Sequence, residues 1–234
     1  MPNPYFSFKQ FTVWHDKCAM KVGTDGVLLG AWANVSNADS ILDVGTGTGL
    51  IALMTAQRCL CPIQAIDIDE NAITQAQENI NLSPWKDRID IINADYREFD
   101  PQKKYDLILT NPPYFINSLR SPNEARKIAR HTDGLSFIDL FSKTKGLLNP
   151  DGIFSLIIPT DIEDVIKDVA AECDLFPVKQ TFIYTKPDVP SKRTLISFSF
   201  IRTKCLVDEL VIELSRHVYS REYIELTKDY YLYM

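Results

Sequence analysis

A chain of 234 residues, 45% apolar and 24% charged, is long enough for one α/β core with appendages and has the balance of a soluble globular protein. It has no apolar run of the roughly eighteen residues a membrane helix needs, and Met1-Pro2-Asn3-Pro4-Tyr5 lacks a signal-peptide pattern, so a cytoplasmic protein with no membrane partner is expected. A net charge of −6 and an isoelectric point near 5.1 argue against coating nucleic acid through bulk charge; any such partner must meet a local basic surface.

Residues 1–40 form an extension that opens with Tyr5, Phe6, Phe8, Phe11 and Trp14 among polar groups. In the following segment Gly23 and Gly26 bracket Thr24 and Asp25. That arrangement presents a hydroxyl and a carboxylate together to a ligand, or else it is a helix N-cap. Ile41-Leu42-Asp43-Val44 is a short apolar strand feeding Gly45-Thr46-Gly47-Thr48-Gly49, and residues 50–59 have helical composition. A strand, a glycine-rich turn and a helix N-terminus let backbone amides approach a ligand closely. A second strand ends at Asp67, where a neighbouring-strand carboxylate grips a ribose diol in doubly wound folds. Asp69 reads as the N-cap of the next helix, because Ala72, Ile73, Ala76 and Ile80 recur behind it at helical spacing.

A third strand, 89–92, delivers Asp95 to the same edge, where its carboxylate can accept from an exocyclic amino group. The fourth, 105–109, runs into Thr110-Asn111-Pro112-Pro113-Tyr114. Two prolines stiffen that backbone and leave its carbonyls free of strand pairing, and Asn111 adds a side-chain acceptor and two donors. Acceptors on Asn111 and the Pro112 carbonyl suit the hydrogens of a planar amino group, and Tyr114 offers a ring on which a base stacks. Taken alone, the same residues also describe an ordinary turn closing a strand.

Residues 115–134 are a basic connection with Arg120, Arg126, Lys127, Arg130 and His131, either a solvated loop or a phosphate contact. A helix over 137–148, a fifth strand over 153–158 after the turn 149–152, and a helix over 161–173 follow. Strands 178–184 and 194–201 form a final pair. The second alternates Ile196, Phe198 and Phe200 with Ser197 and Ser199, as a half-buried strand does, and the loop between them carries Lys186, Lys192 and Arg193. From Asp208 the tail reads as helical and then tyrosine-rich. No boundary divides the chain, so residues 1–234 are read as one domain with a tail over 205–234. Cys18, Cys59, Cys61, Cys173 and Cys205 are scattered and read as reduced and mostly buried, and no metal is expected.

In this order of signals the chain resembles the class I S-adenosylmethionine-dependent methyltransferases. The resemblance implies a Rossmann-like α/β fold: a seven-stranded, mostly parallel sheet, helices on both faces and an antiparallel last strand. It also implies that the loop with Asp43, Gly45, Gly47 and Gly49 binds the methionine part of the cofactor, Asp67 with Ile68 beside it the ribose, and Asp95 the adenine. Asn111 to Tyr114 is similar to the Asn-Pro-Pro-Tyr motif of enzymes that methylate exocyclic or amide nitrogen.

Five further segments narrow the resemblance: Phe8-Lys9-Gln10-Phe11, Met20-Lys21-Val22-Gly23-Thr24-Asp25-Gly26, Arg130-His131-Thr132-Asp133-Gly134-Leu135, the Lys192-Arg193 loop and Leu226-Thr227-Lys228-Asp229-Tyr230-Tyr231-Leu232. Together they resemble the bacterial tRNA (adenine-N6)-methyltransferase family that modifies adenosine 37 beside the anticodon of a valine tRNA. That adds Lys21, Thr24 and Asp25 to the cofactor set and an anticodon stem-loop as partner of a monomer. The phosphate contacts would come from Arg120, Arg126, Lys127, Arg130, His131, Lys186, Lys192 and Arg193, with Lys9 and Lys228 as additions to the basic face. Rival readings are glutamine-N5 methylation of a release factor, whose enzymes carry a helical domain that the 42 residues before Asp43 are too few to hold, and amino-group methylation of rRNA or DNA.

Overall fold

The computed structural model describes residues 3–18, 20–112 and 135–234. A small antiparallel hairpin, β1 (Tyr5–Ser7) and β2 (Thr12–Trp14), precedes helix α1 (Thr24–Trp32), whose N-cap is Gly23 with no side-chain cap, so neither Thr24 nor Asp25 caps it. The central strands and helices then alternate: β3 (Ile41–Val44), α2 (Leu50–Ala56), β4 (Ile63–Asp67), α3 (Glu70–Asn81), β5 (Ile89–Asn93), β6 (Tyr105–Thr110), α4 (Phe137–Leu147), β7 (Leu148–Pro159), α5 (Glu163–Glu172), β8 (Phe176–Tyr184) and β9 (Arg193–Ser199). Asp69 caps α3 as its sequence predicts, accepting from Asn71 N at 2.9 Å.

Across the sheet the order is β10-β8-β9-β7-β6-β3-β4-β5, with β9 alone antiparallel to its neighbours. Seven of these strands are the expected set. The eighth, β10 (Leu206–Val211), corrects the tail: where a helix was expected from Asp208, the chain pairs parallel to β8, Leu206 opposite Lys179 through Val211 opposite Tyr184. A short hairpin, β11 (Glu213–Ser215) with β12 (Val218–Tyr219), follows, and only α6 (Arg221–Thr227) is helical. Strand β7 also begins earlier than its sequence suggests, because Leu148 pairs with Tyr105 and draws the 149–152 turn into the strand.

The central strands are apolar on both faces, the pattern of a sheet covered on both sides. Ile41, Leu107, Leu109, Ile157 and Leu195 pack in a cluster with Leu28, Leu53 and Met54 of α1 and α2. Their neighbours Leu42, Ile108, Leu156, Ile158 and Ile196 pack in a second cluster with Phe141 of α4 and Ile166 of α5. There Phe141 meets Phe154 and Phe198 edge-on, each with ring centroids 5.1 Å apart. Strand β9 is therefore not half-buried: Ser197 and Ser199 are buried as well, and Ser197 is satisfied by a 2.7 Å hydroxyl contact with Ser155. Of the cysteines only Cys173 is buried; Cys18, Cys59, Cys61 and Cys205 are half-buried.

Candidate active site

Parallel pairing brings the carboxyl ends of β3, β4, β5 and β6 to one edge of the sheet, and the polar residues of the glycine loop, Asp67, Asp95 and Asn111 lie there. Gly45, Gly47 and Gly49 have φ of +69°, +56° and +80°, a backbone that a Cβ would strain. The loop is pinned to the next strand: Gly45 N and Thr46 N both donate to the Ile66 carbonyl at 2.9 Å. At Gly45 a Cβ would meet nothing within 4 Å, so the loop faces open space; at Gly49 it would fall 3.4 Å from Ala76 Cβ, so that glycine serves the approach of α3.

Asp43 sits behind the loop. It is wholly buried, and its Oδ2 accepts from Thr46 Oγ1 at 2.6 Å and from Ala52 N at 3.2 Å. Burial drives its pKa up to about 7 although both hydrogen bonds oppose the rise, and the charge of Asp67 adds to it. Asp43, like Asp67, Ile68 and Asp95, does not line the cavity described below; its own contacts position the loop. Asp67 is also a brace: Oδ2 accepts from Gly47 N at 2.8 Å and Oδ1 from Asp69 N at 3.0 Å. An ionised carboxylate has about four acceptor positions, so Asp67 keeps capacity for a diol. Ile68 beside it is an exposed apolar side chain, 64% accessible. Both oxygens of Asp95 accept from Arg97, at 2.5 and 3.0 Å, which holds its carboxyl below the usual carboxylate range.

A cavity of about 370 Å³ opens on the loop, lined by Lys21, Thr24, Asp25, Gly45, Thr46, Gly47 and Asn111 among others. Asn111 is half-buried and Pro112 buried. Pro113, Tyr114, Arg120, Arg126, Lys127, Arg130 and His131 lie outside the described residues.

Lys186 and Lys192 are exposed between β8 and β9, as a phosphate contact requires. Arg193 is different: its Nε donates to Asp25 Oδ2 at 2.7 Å, tying the start of β9 to the cavity wall. Lys9 and Lys228, the expected additions to the basic face, each have partners within the chain. Lys9 Nζ donates to the Lys228 and Met234 carbonyls at 2.5 and 3.1 Å, and Lys228 pairs with Glu225 at 2.5 Å.

Two positioning residues escaped the sequence reading. Asn79 accepts from Trp14 N and donates to the Trp14 and Thr48 carbonyls, all at 2.8 Å, and Gln75 Oε1 accepts from Lys17 N at 2.9 Å. They clamp the N-terminal extension against the glycine loop. Their signal was available, since residues 75 and 79 share the helix face of Ala72, Ala76 and Ile80 and are polar where that face is buried. Among the described residues no group of three or more His, Cys, Asp or Glu is placed to hold a metal ion, and no helix is long and apolar enough to cross a membrane.

Residues 22–182 match the methyltransferase small domain family. The whole chain is 56% identical over 234 residues to the tRNA1(Val) (adenine(37)-N6)-methyltransferase of Phocaeicola vulgatus, covering 100% of both. The chain belongs to that family. Members in Bacteroides thetaiotaomicron and Flavobacterium psychrophilum are 52% and 48% identical over 236 and 233 residues, covering 100% and 98% of this chain and 100% of each relative. Among solved structures, protein Atu636 of Agrobacterium tumefaciens, described as a predicted O-methyltransferase, superposes with a TM-score of 0.66 at 19% identity, over 88% of this chain and 96% of that one. The glycopeptide N-methyltransferase MtfA with S-adenosylmethionine does so with 0.58 at 12% identity, over 77% and 100%. These two share the class I methyltransferase fold with the adenine-N6 methyltransferase family member described here.

Proposed function

We propose that the protein transfers the methyl group of S-adenosylmethionine to N6 of adenosine 37 in a valine tRNA, with S-adenosylhomocysteine as the second product. The observation that carries this reading is that Asn111, at the tip of β6, lines the same cavity as the glycine loop and Asp25. The acceptor for an amine and the cradle for a methyl donor are one site.

The residues present fit that donor. Open space above Gly45, spare acceptor capacity on Asp67 and exposed Ile68 match an amino acid, a ribose diol and a flat ring in turn. In this reading Lys21, Thr24, Asp25 and the loop hold the methionine part, Asp67 the ribose hydroxyls, and Asp95 with Ile68 the adenine. When bound, S-adenosylmethionine supplies an electrophilic methyl group on a positively charged sulfur.

The chain's own work is orientation, which is where most of the acceleration in such a transfer arises. Asn111 Oδ1 and the Pro112 carbonyl accept the two N6 hydrogens and so direct the nitrogen lone pair out of conjugation with the ring. Adenine N6 is not appreciably basic, so no strong base is needed before attack, and the surplus N6 proton leaves after it. The target base must leave the anticodon-loop stack, at a cost of a few kcal/mol. Stacking on Tyr114, about 1–3 kcal/mol, is of the size that offsets it. Lys186 and Lys192, exposed between β8 and β9, supply cations to the local basic surface that a chain of net charge −6 needs. The reading includes a cytoplasmic monomer.

The test is transfer from labelled S-adenosylmethionine to unmodified total tRNA, total rRNA, duplex DNA and a release factor in parallel, with the labelled product identified by mass. N6-methyladenosine in tRNA alone is expected. Label on a release-factor glutamine would keep the Asn111 chemistry and overturn the substrate.

A further inference from the structure

A second, larger hollow of about 940 Å³ adjoins the cofactor cavity; Gly23 and Thr24 line both. Its walls include the rings of Tyr5 and Phe6 of β1, Tyr219 of β12, and Tyr231 and Tyr233 of the tail. Tyr5, Phe6 and Tyr233 are 38%, 37% and 96% exposed. Tyr5 packs on Trp14 at 4.9 Å and Phe6 on Phe8 at 4.8 Å, and Phe6 meets Tyr231 edge-on at 5.9 Å, so neighbouring rings hold Tyr5 and Phe6 in place while each stays partly exposed. A cluster of exposed rings in a concavity marks a binding surface rather than a core.

Position decides what binds there. Strands β8 and β10 run parallel to β7 and β6, so their carboxyl ends lie on the edge that also holds Asn111. Lys186, just after β8, and Glu213, just after β10, both line the groove. A polynucleotide that delivers one base to Asn111 continues along this edge toward these rings. Ring faces accept any base, Lys186 suits the phosphate that accompanies it, and Glu213 offers an acceptor to a base amino or ring N–H while repelling a phosphate from the floor.

We propose that this groove is a second base-binding subsite, which takes one unpaired nucleotide neighbouring the methylated adenosine and stacks it on the Tyr5, Phe6 and Tyr233 rings. The inference rests on the tRNA reading above and extends it. Holding two adjacent splayed bases on one edge distinguishes a single-stranded loop from a helix, in which both remain stacked.

The experiment uses full-length unmodified valine tRNA, either intact or with an abasic nucleotide replacing one or the other neighbour of adenosine 37. The wild-type chain is compared with Tyr233→Ala and Phe6→Ala, and S-adenosylmethionine affinity serves as the check that each variant is folded. The expected result is a KM for intact tRNA raised about ten-fold by each variant, with kcat within about two-fold and cofactor affinity unchanged. Tyr233→Phe restores the wild-type KM. One of the two abasic tRNAs raises the wild-type KM by a similar factor and costs the variants nothing further. Wild-type KM values in both alanine variants would overturn the subsite while leaving adenosine methylation intact; a lower sedimenting mass in those variants would assign the groove to a second copy of the chain instead. Absence of methyl transfer to intact tRNA by the wild-type chain would overturn the tRNA reading itself, and the subsite with it.

Discussion

At the β3–β5 end of the strand-tip edge, recognition is built from short-range geometry. Asp43 accepts from Thr46 Oγ1 and Ala52 N, and Asp67 from Gly47 N and Asp69 N, so both carboxylates brace the glycine loop and the helix starts from within the β3–β4 segment. At the β8–β10 end, the groove is assembled from β1, the residue after β8, the β11–β12 hairpin and the tail, which meet only in the folded chain. The proposed cofactor site uses backbone that a strand–loop–helix unit and the strand beside it position together. The proposed RNA subsite uses side chains whose proximity is a product of the whole topology.

The largest effect that would separate the two ends is at their junction. Asn111→Ala is expected to lower kcat by roughly 10²–10³-fold while cofactor affinity stays within a few-fold. If calorimetry showed cofactor binding falling in step with turnover, Asn111 would belong to the cofactor end alone.

Next comes the pH behaviour of Asp43. Its carboxyl titrates near 7 when folded, against 3.8 for the ordinary group. Between those values the native state holds a proton that the unfolded chain has released. Stability therefore falls as pH rises from about 4 to about 7 and levels off above, by on the order of a few kcal/mol. Asp43→Asn is expected to remove that slope from a plot of Tm against pH, and a slope unchanged in the variant would show that another group causes it.

Asp67→Asn weakens one carboxylate that serves both the loop and the proposed ribose contact. About 10- to 100-fold weaker S-adenosylmethionine binding is expected, with tRNA affinity measured by filter binding unchanged. The smallest effect belongs to an ion pair between the ends, Arg193 with Asp25. Arg193 and Asp25 have side chains 35% and 28% exposed, so solvent screens the pair. Arg193→Ala should lower stability by about 1 kcal/mol or less in urea unfolding, and a loss several times larger would make the pair a principal tie across the edge.

The same contrast governs what was legible in the sequence. Strands β3, β4, β5 and β6, the places of Gly45 and Asp67 at their tips and the Asp69 cap follow from apolar runs that end in polar tips, because local chain geometry decides them. Strand β10 did not, since Asp208 and Glu209 at its centre read as solvated helix. They lie in a strand because β10 pairs with β8 along its length, and the Asp208 carboxylate accepts from Thr181. Ser197 reads as a solvent-facing residue until Ser155 is known to sit opposite. Asp25 and Arg193 were both singled out but given separate tasks, and no local signal joins residues 168 positions apart.

The central claim is that the Asn111 edge methylates one adenosine, and the most direct measurement compares two unmodified valine tRNAs that differ only at position 37. With labelled S-adenosylmethionine and the wild-type chain, the account predicts N6-methyladenosine in the tRNA carrying adenosine 37 and no label in the one carrying guanosine there. Equal label in both would place the reaction at another nucleotide and contradict it.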